Sequence, residues 1–208
     1  GLLTTTLDPK GEIVQDEEIP PLSESLIRET LQSFVGTTTQ VPPLTSAIRV
    51  DGKRLYEYAH RGETIEVPPR EVRIYSLRLV SYIHPFLEIE AKVGKGTYIR
   101  TLGADIAAKF NTVATTVELR RTKQGSFSVD DAKKVDELSV EDIITPSVAL
   151  SMFPAFKVDE RTIVDVRNGR NINIESDAEI IQILDESGVL HALCRKSGAF
   201  YQPFRGFN

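Results

Sequence analysis

The chain has one cysteine, Cys194, which excludes an internal disulfide and any cysteine-cluster zinc site. Its three histidines, His60, His84 and His191, are scattered and offer no metal-ligand spacing. No apolar run reaches the roughly 18 residues of a membrane helix, so no span is expected. Positive charge is not in excess. With 25 Lys and Arg against 30 Asp and Glu, the net charge of −5 excludes a uniformly basic nucleic-acid coat. Internal repeats and low-complexity tracts are lacking. The start, Gly1-Leu2-Leu3-Thr4-Thr5-Thr6, has neither a methionine nor the basic region of a signal peptide, and reads as a chain entered in its middle. What is there is 208 residues, 40% apolar and 26% charged: a globular composition, enough for one domain with an appendage or two small ones.

Charge is unevenly placed. Residues 1–24 carry six acids against one base, Lys10, whereas residues 92–124 carry seven bases against two acids. An acidic chain that gathers its bases in one stretch suggests a local anion-binding face there, beside the plainer reading of patchy surface.

Punctuation and periodicity give the elements. Ser23 is a helix N-cap with Leu22 and Ile27 as staple, Leu26, Ile27, Leu31, Phe34 and Val35 form the apolar stripe, and Gly36 ends it. Val41-Pro42-Pro43-Leu44 is extended, Ser46–Val50 is a strand closed by a turn at Asp51-Gly52, and Leu55–Ala59 is a short helix ending near Gly62, with His60 capping it or exposed. Val72 and Ile74 alternate in one phase and Leu77 and Leu79 in the other, which predicts a bulge near Tyr75-Ser76. Leu87, Ile89, Ala91 and Val93 make a half-buried strand, Gly94-Lys95-Gly96 stops it, and Ile99, Leu102, Ile106 and Phe110 mark a helix. Val117, Leu119 and Arg121 share one face of a further strand.

An acidic stretch, 128–154, helical in places, follows. Asp159 caps a helix that Gly169 stops, and short strands at 172–174, 178–184, 189–195 and 199–204 come next. The expected architecture is α+β: domain one over 1–154 with a mixed, largely antiparallel sheet, and a small β-rich domain over 155–208. Cys194, inside a strand, is expected as a small core residue.

The junction Lys95-Gly96-Thr97-Tyr98-Ile99-Arg100 is where chemistry concentrates. Glycines let a ligand approach the backbone, a helix start favours anions, a tyrosine can stack on a base and an arginine can clamp a carboxylate or phosphate. A packed tyrosine with a surface arginine fits the spacing equally well.

Three ordered matches make the junction specific. Lys95–Arg100 with Thr101-Leu102-Gly103-Ala104-Asp105-Ile106 resembles the arginine motif of the bacterial TruB family of tRNA pseudouridine synthases. Val41–Gly62 resembles that family's Q-V-P-P-x-x-S-A block, and Leu119-Arg120-Arg121-Thr122 its leucine-arginine-arginine strand. Gly1–Val14 resembles the element L-G-x-x-T-x-T-x-D-x-x-G-x-I-V. Thr6-Leu7-Asp8-Pro9 also reads like the family's catalytic T-L-D-P, but the continuation Lys10-Gly11-Glu12 departs from x-A-T-G. Under the first register the catalytic aspartate is expected upstream of Gly1, the chain alone is expected to be inactive, and Asp8 contacts RNA; under the second, Asp8 is the nucleophile. Further departures are Thr5 where the family often has an acid, Arg49 for a lysine, and Asn111-Thr112-Val113 for a glycine-rich turn.

The resemblance implies isomerisation of a uridine in the T-loop of tRNA by base flipping and aspartate attack, with no cofactor or metal. Arg100 orients the aspartate, Tyr98 and Leu119 line the pocket, and Asp8, Lys95, Arg120 and Arg121 meet the substrate. The implied protein is a cytoplasmic monomer that binds the tRNA T-arm and no membrane, with a C-terminal domain related to the PUA domain. A non-catalytic RNA-binding or tRNA-folding protein on the same scaffold is the alternative.

Overall fold

The structure is a computed structural model that describes residues 1–63 and 65–207; the side chains of Ala59 and His60 lie outside the description, and with them the expectation for His60. The chain divides into two compact units, Gly1–Leu119 and Arg120–Asn208.

The first unit runs β1 (Leu2–Thr4), β2 (Ile13–Asp16), α1 (Glu24–Ser33), β3 (Gly36–Gln40), β4 (Arg49–Val50), β5 (Lys53–Arg54), α2 (Leu55–His60), β6 (Arg70–Ile83), β7 (Phe86–Val93) and α3 (Ile99–Ala108). The antiparallel sheet β3-β6-β7 is its frame, and β1-β2 and β4-β5 are separate two-stranded ribbons. α1 starts where Ser23 Oγ accepts the Leu26 N–H at 3.3 Å. On β6, Val72 and Ile74 face the core, the register against β7 shifts between Ile74 and Ser76, and Leu77 and Leu79 then face the core as well. Without that extra residue one pair would point outward, because strand faces alternate. Ile27 and Leu31 from α1 and Leu102 and Ile106 from α3 close over these residues. Ile27, Leu31, Ile74 and Leu102 are each at most 1% exposed. Burial of such side chains stabilises by about 1.5–3 kcal/mol each, and here it fixes α3 on the sheet.

Two local details serve the turns. Asp51 and Gly52 take φ of 49° and 83°, the left-handed pair that a tight β4-β5 hairpin requires. Asn111 takes φ of 56°, so the residue in place of a glycine adopts a glycine-like conformation.

The second unit runs β8 (Lys123–Gln124), β9 (Phe127–Ser128), α4 (Pro146–Ala149), β10 (Ala155–Lys157), α5 (Glu160–Arg167), β11 (Ile180–Leu184), β12 (Leu190–Ser197) and β13 (Phe200–Gly206), with single 3-10 turns at Val129–Asp131, Val135–Glu137 and Val140–Asp142. Its sheet is β10-β11-β12-β13, parallel only between β10 and β11. Asp159 Oδ1 caps α5 through the Thr162 N–H at 2.9 Å, and Gly169 leaves it at φ of 73°. Ile163, Val166, Ile181, Ile183, Cys194 and Tyr201 form the core. Cys194 is fully buried, and burial pushes its thiol up to about 11, so it packs rather than reacts. Buried Gln182 donates to the carbonyls of Leu150 and Phe153, both at 2.9 Å, which ties the chain before β10 to this sheet. The whole is α+β.

Two expected strands do not form. Residues 113–122 have no regular structure, and Val117 and Leu119 are 53% and 61% exposed. Alternation supplies a face to bury, but a strand also needs a neighbour's N–H and C=O groups, and among the described residues no strand pairs with this one. Ile172–Ile174 reduces to one bridge, Ile172 to Tyr201.

Candidate active site

A turn and a helix start build the site. Between β1 and β2 the chain reverses through Thr4–Glu12. Thr4 Oγ1 donates to Asp8 O at 2.7 Å, and Thr5 N–H donates to Glu12 O at 2.9 Å. Leu7 sits at φ of 59°. Thr6 Oγ1 and the Lys10 N–H both donate to Asp8 Oδ1, at 2.7 and 3.0 Å, an Asx-type closure. A Cβ on Gly11 would lie 2.7 Å from Thr6 N, so only glycine lets the turn close this tightly. The motif T-x-D-x-x-G is thus a device for aiming one carboxylate.

Arg100 meets that carboxylate. Its Nη1 donates to Asp8 Oδ2 at 2.6 Å and to Thr6 O at 2.8 Å, and its Nη2 donates to Thr45 O at 3.3 Å. The two side chains are 22% and 27% exposed. The guanidinium therefore joins α3, the first turn and the proline-rich loop. The Thr6 hydroxyl, then the Lys10 N–H and the Arg100 charge, hold the Asp8 carboxyl below its ordinary value, against partial desolvation. A permanently charged arginine and an ionised aspartate fix one another's geometry.

Tyr98 is the N-cap residue of α3, with no side-chain cap of its own. Buried Gln40, the last residue of β3, does the holding: its Oε1 accepts the Tyr98 N–H at 2.8 Å and its Nε2 donates to Tyr98 O at 3.1 Å. Among the described residues the Tyr98 hydroxyl makes no hydrogen bond. Among the described residues three hydroxyls are buried without a partner: Thr45 Oγ1 and Ser46 Oγ in the proline-rich loop and Thr101 Oγ1 next to Arg100. Buried hydroxyls are normally satisfied, so unmet hydrogen-bonding capacity gathers at this corner of the unit.

The sequence-predicted residues divide. Asp8, Arg100 and the Tyr98 junction come together. The first register keeps Arg100 for an upstream acid and Asp8 for RNA; only the second, with Asp8 as the acid that Arg100 orients, pairs them. Lys95 is exposed on the Gly94–Gly96 turn and makes no ion pair among the described residues. Leu119 is exposed at the end of the first unit. Arg120 and Arg121 belong to the second unit, are exposed, and Arg121 donates to Gln124. Thr6, Gly11, Gln40 and Thr45 were not singled out; the T-x-D-x-x-G spacing was the signal for the first two, and the Q-V-P-P-x-x-S-A block, which opens on Gln40 and contains Thr45, was the signal for the others. Hollows lie elsewhere, one lined by Glu17, Leu22, Phe110 and Thr112, another by Arg167, His191, Phe204 and Arg205. The His191 of the second hollow meets Asp185 within one hairpin, whereas Arg100 and Asp8 lie 92 residues apart and join separate segments, so the reach of the pair marks the site. Among the described residues no group of three or more His, Cys, Asp or Glu could hold a metal ion, and no helix is long and apolar enough to cross a membrane.

Comparison with known proteins gives the family. Residues 1–99 match the model of the TruB family pseudouridylate synthase N terminal domain. The tRNA pseudouridine synthase B of Caldanaerobacter subterraneus subsp. tengcongensis is 33% identical over 213 residues, covering 100% of this chain and 74% of that protein. Its counterpart from Streptococcus sanguinis is 34% identical over 221 residues, covering 100% and 75%. A solved Cbf5–Nop10–Gar1 complex contains a chain with the same fold, at a TM-score of 0.66 and 19% identity, covering 91% of this chain and 63% of that one. An H/ACA ribonucleoprotein bound to a substrate RNA containing 2'-deoxyuridine gives a TM-score of 0.61 at 18% identity, covering 90% and 62%. With a third of its residues shared along its whole length with such synthases, the chain belongs to the TruB family of pseudouridylate synthases.

Proposed function

We propose that the protein isomerises a uridine in the T-loop of tRNA to pseudouridine. The observation that carries this is the immobilised Arg100, held on Asp8, Thr6 and Thr45 at the start of α3. A uracil in a folded loop is reached only by flipping the nucleotide out of its stack. An aspartate then attacks the ribose C1′ as its bond to uracil N1 breaks; the uracil turns, its C5 bonds to C1′ as the aspartate leaves, and C5 loses its proton while N1 gains one. A closed pocket disfavours a charged carboxylate, and the guanidinium offsets that. Tyr98, with its hydroxyl unengaged, lies at the same junction and packs against the flipped base.

Asp8 is assigned to holding Arg100. Its Oδ1 already takes two donors and its Oδ2 a third, which leaves a carboxylate poorly free to attack. The attacking aspartate is assigned to a segment outside these 208 residues, which cover 74% of the first relative. Lys95, Leu119, Arg120 and Arg121 are assigned to the RNA, residues 155–208 to a PUA-like RNA-binding domain, and the protein to the cytoplasm as a monomer. The relatives' names favour catalysis over a purely RNA-binding role.

The test is to incubate the protein with unmodified tRNA transcript and map pseudouridine in the T-loop. Formation only when the upstream segment is present supports both assignments. Turnover by the 208 residues alone that is lost in Asp8→Asn makes Asp8 the nucleophile. No turnover in either case sinks the reading.

A further inference from the structure

We infer that Gln40 is a positioning residue: its side-chain amide clamps both backbone groups of Tyr98 and so aims Arg100 at Asp8. The inference rests on the reading of Arg100 as the arginine of the synthase site. It adds a residue that the reading does not use.

Three observations carry it. First, Gln40 is 4% exposed at the end of β3, where an amide must find partners, and both of its ends find the same residue 58 positions away. Second, α3 begins there without a side-chain cap, so the Tyr98 N–H would be orphaned without Gln40 Oε1. Third, Arg100 lies in the first turn of α3, two residues beyond the clamp, and its guanidinium must reach three acceptors at 2.6 to 3.3 Å. Such a reach tolerates little rotation of the helix start.

Away from Gln40 and the Arg100 guanidinium, α3 is seated by apolar contacts. Leu102 and Ile106 seat it on the sheet, and apolar packing is non-directional. The Gln40 clamp is directional. It converts a seated helix into one whose first turn has a single orientation. Asp105, two turns beyond Tyr98, also faces the Gln40 amide, and burial raises its carboxyl while that amide opposes the rise. A near-isosteric leucine at position 40 would preserve the packed volume and remove every one of these polar contacts.

The experiment uses the full chain with Gln40→Leu and, as a control, Ile27→Val, which removes a methylene from the same core without touching Tyr98. Two signals are read by NMR: hydrogen exchange of the Tyr98 amide in tyrosine-labelled protein, and the titration of the Asp8 carboxyl carbon. In Gln40→Leu the Tyr98 amide should exchange about three- to tenfold faster, the range set by one lost hydrogen bond. The Asp8 titration should also move upward as Arg100 loses its aim, whereas Ile27→Val should move neither. If exchange quickens and the Asp8 titration stays put, Gln40 only caps a helix and the inference falls. It falls equally if neither signal moves, or if Ile27→Val moves both. Since neither signal depends on turnover, a failure of the pseudouridine assay would leave this result readable and would count against the synthase reading alone.

Discussion

Asp8 in the first unit and Asp185 in the second are coordinated almost identically. Asp8 takes a hydroxyl from Thr6, an N–H from Lys10 and a guanidinium from Arg100, at 2.7, 3.0 and 2.6 Å. Asp185 takes a hydroxyl from Ser187, an N–H from Val189 and the imidazole of His191, at 2.6, 2.9 and 2.9 Å. Both carboxylates are 27% exposed. The difference is reach. The Asp185 partners lie two, four and six residues away, within the β11-β12 hairpin. The charged partner of Asp8 lies 92 residues away. A local carboxylate stiffens its own turn. A distant one ties separate segments together.

The sharpest way to break that comparison is to remove each base. In protein that carries the upstream segment, Arg100→Ala should lower pseudouridine formation by at least about a hundredfold, the scale for loss of a positioning group. Arg100→Lys should recover little, since one ammonium cannot reach three acceptors spread over two segments. Asp185→Asn should leave the rate within about threefold, because its contacts close only a hairpin, and conservative surface changes carry small effects. Single-turnover assays on tRNA transcript check all three. Equal losses from Arg100→Ala and Asp185→Asn would erase the distinction.

Next in size is the turn itself. Gly11→Ala would put a Cβ 2.5 Å from Thr6 Oγ1 and 2.7 Å from Thr6 N, which the backbone must move to relieve. Overpacking of this kind destabilises by about 1–3 kcal/mol. The measurement is the denaturation midpoint by circular dichroism. The Asp185 turn uses Gly188 at φ of 90° with open space around its missing Cβ. Gly188→Ala there should act through backbone strain alone and by a smaller amount, about 1 kcal/mol.

Acid separates the two carboxylates further. Asp8 is held below its ordinary value first by the Thr6 hydroxyl, and Asp185 still further below by the Ser187 hydroxyl, then by His191 and the Val189 N–H. A carboxyl lowered in the folded state contributes stability that is fully present above its unfolded value, near about 4, and lost as pH falls through the folded one. Acid unfolding should therefore lose the Asp8 contribution first and that of Asp185 at lower pH. Asp8→Asn should flatten the upper part of the stability loss below pH of about 4, and Asp185→Asn the lower part. The reverse order would show that the coordination, alike on inspection, is not alike in strength.

Much of the scaffold was legible because its signals are local. The Ser23 and Asp159 caps, the Asp51-Gly52 turn and the phase change between Ile74 and Leu77 are each written within a few residues, and each is found. The missed features depend on distance. Val117–Arg121 alternates like a strand, but alternation says nothing of whether a neighbour is present to complete the ladder. Asp8 and Arg100 were both singled out, yet no periodicity links residues 92 positions apart. Gln40 and Thr45 stand in the Q-V-P-P-x-x-S-A block, but their partners were not legible for the same reason: one acts through its amide on a helix far along the chain, the other through a backbone carbonyl. A residue that functions through its backbone leaves no mark in its own identity.

The smallest effect is the most discriminating for charge. Lys95 and Arg100 lie on the same junction, but the charge of Arg100 is neutralised by Asp8 and that of Lys95 is not. Counterions released on RNA binding come from charges that meet phosphate, so a cation already paired inside the protein adds nothing to the salt dependence. Lys95→Ala should lower the slope of log binding constant against log salt by about 0.7–0.9, with affinity falling modestly across RNA sequences. Arg100→Ala should leave that slope unchanged even as catalysis collapses. Filter binding of tRNA transcript at several salt concentrations measures both. A change of slope with Arg100→Ala equal to that with Lys95→Ala would mean that Arg100 leaves Asp8 to meet phosphate in the complex, and that the pair is a latch rather than a fixed support.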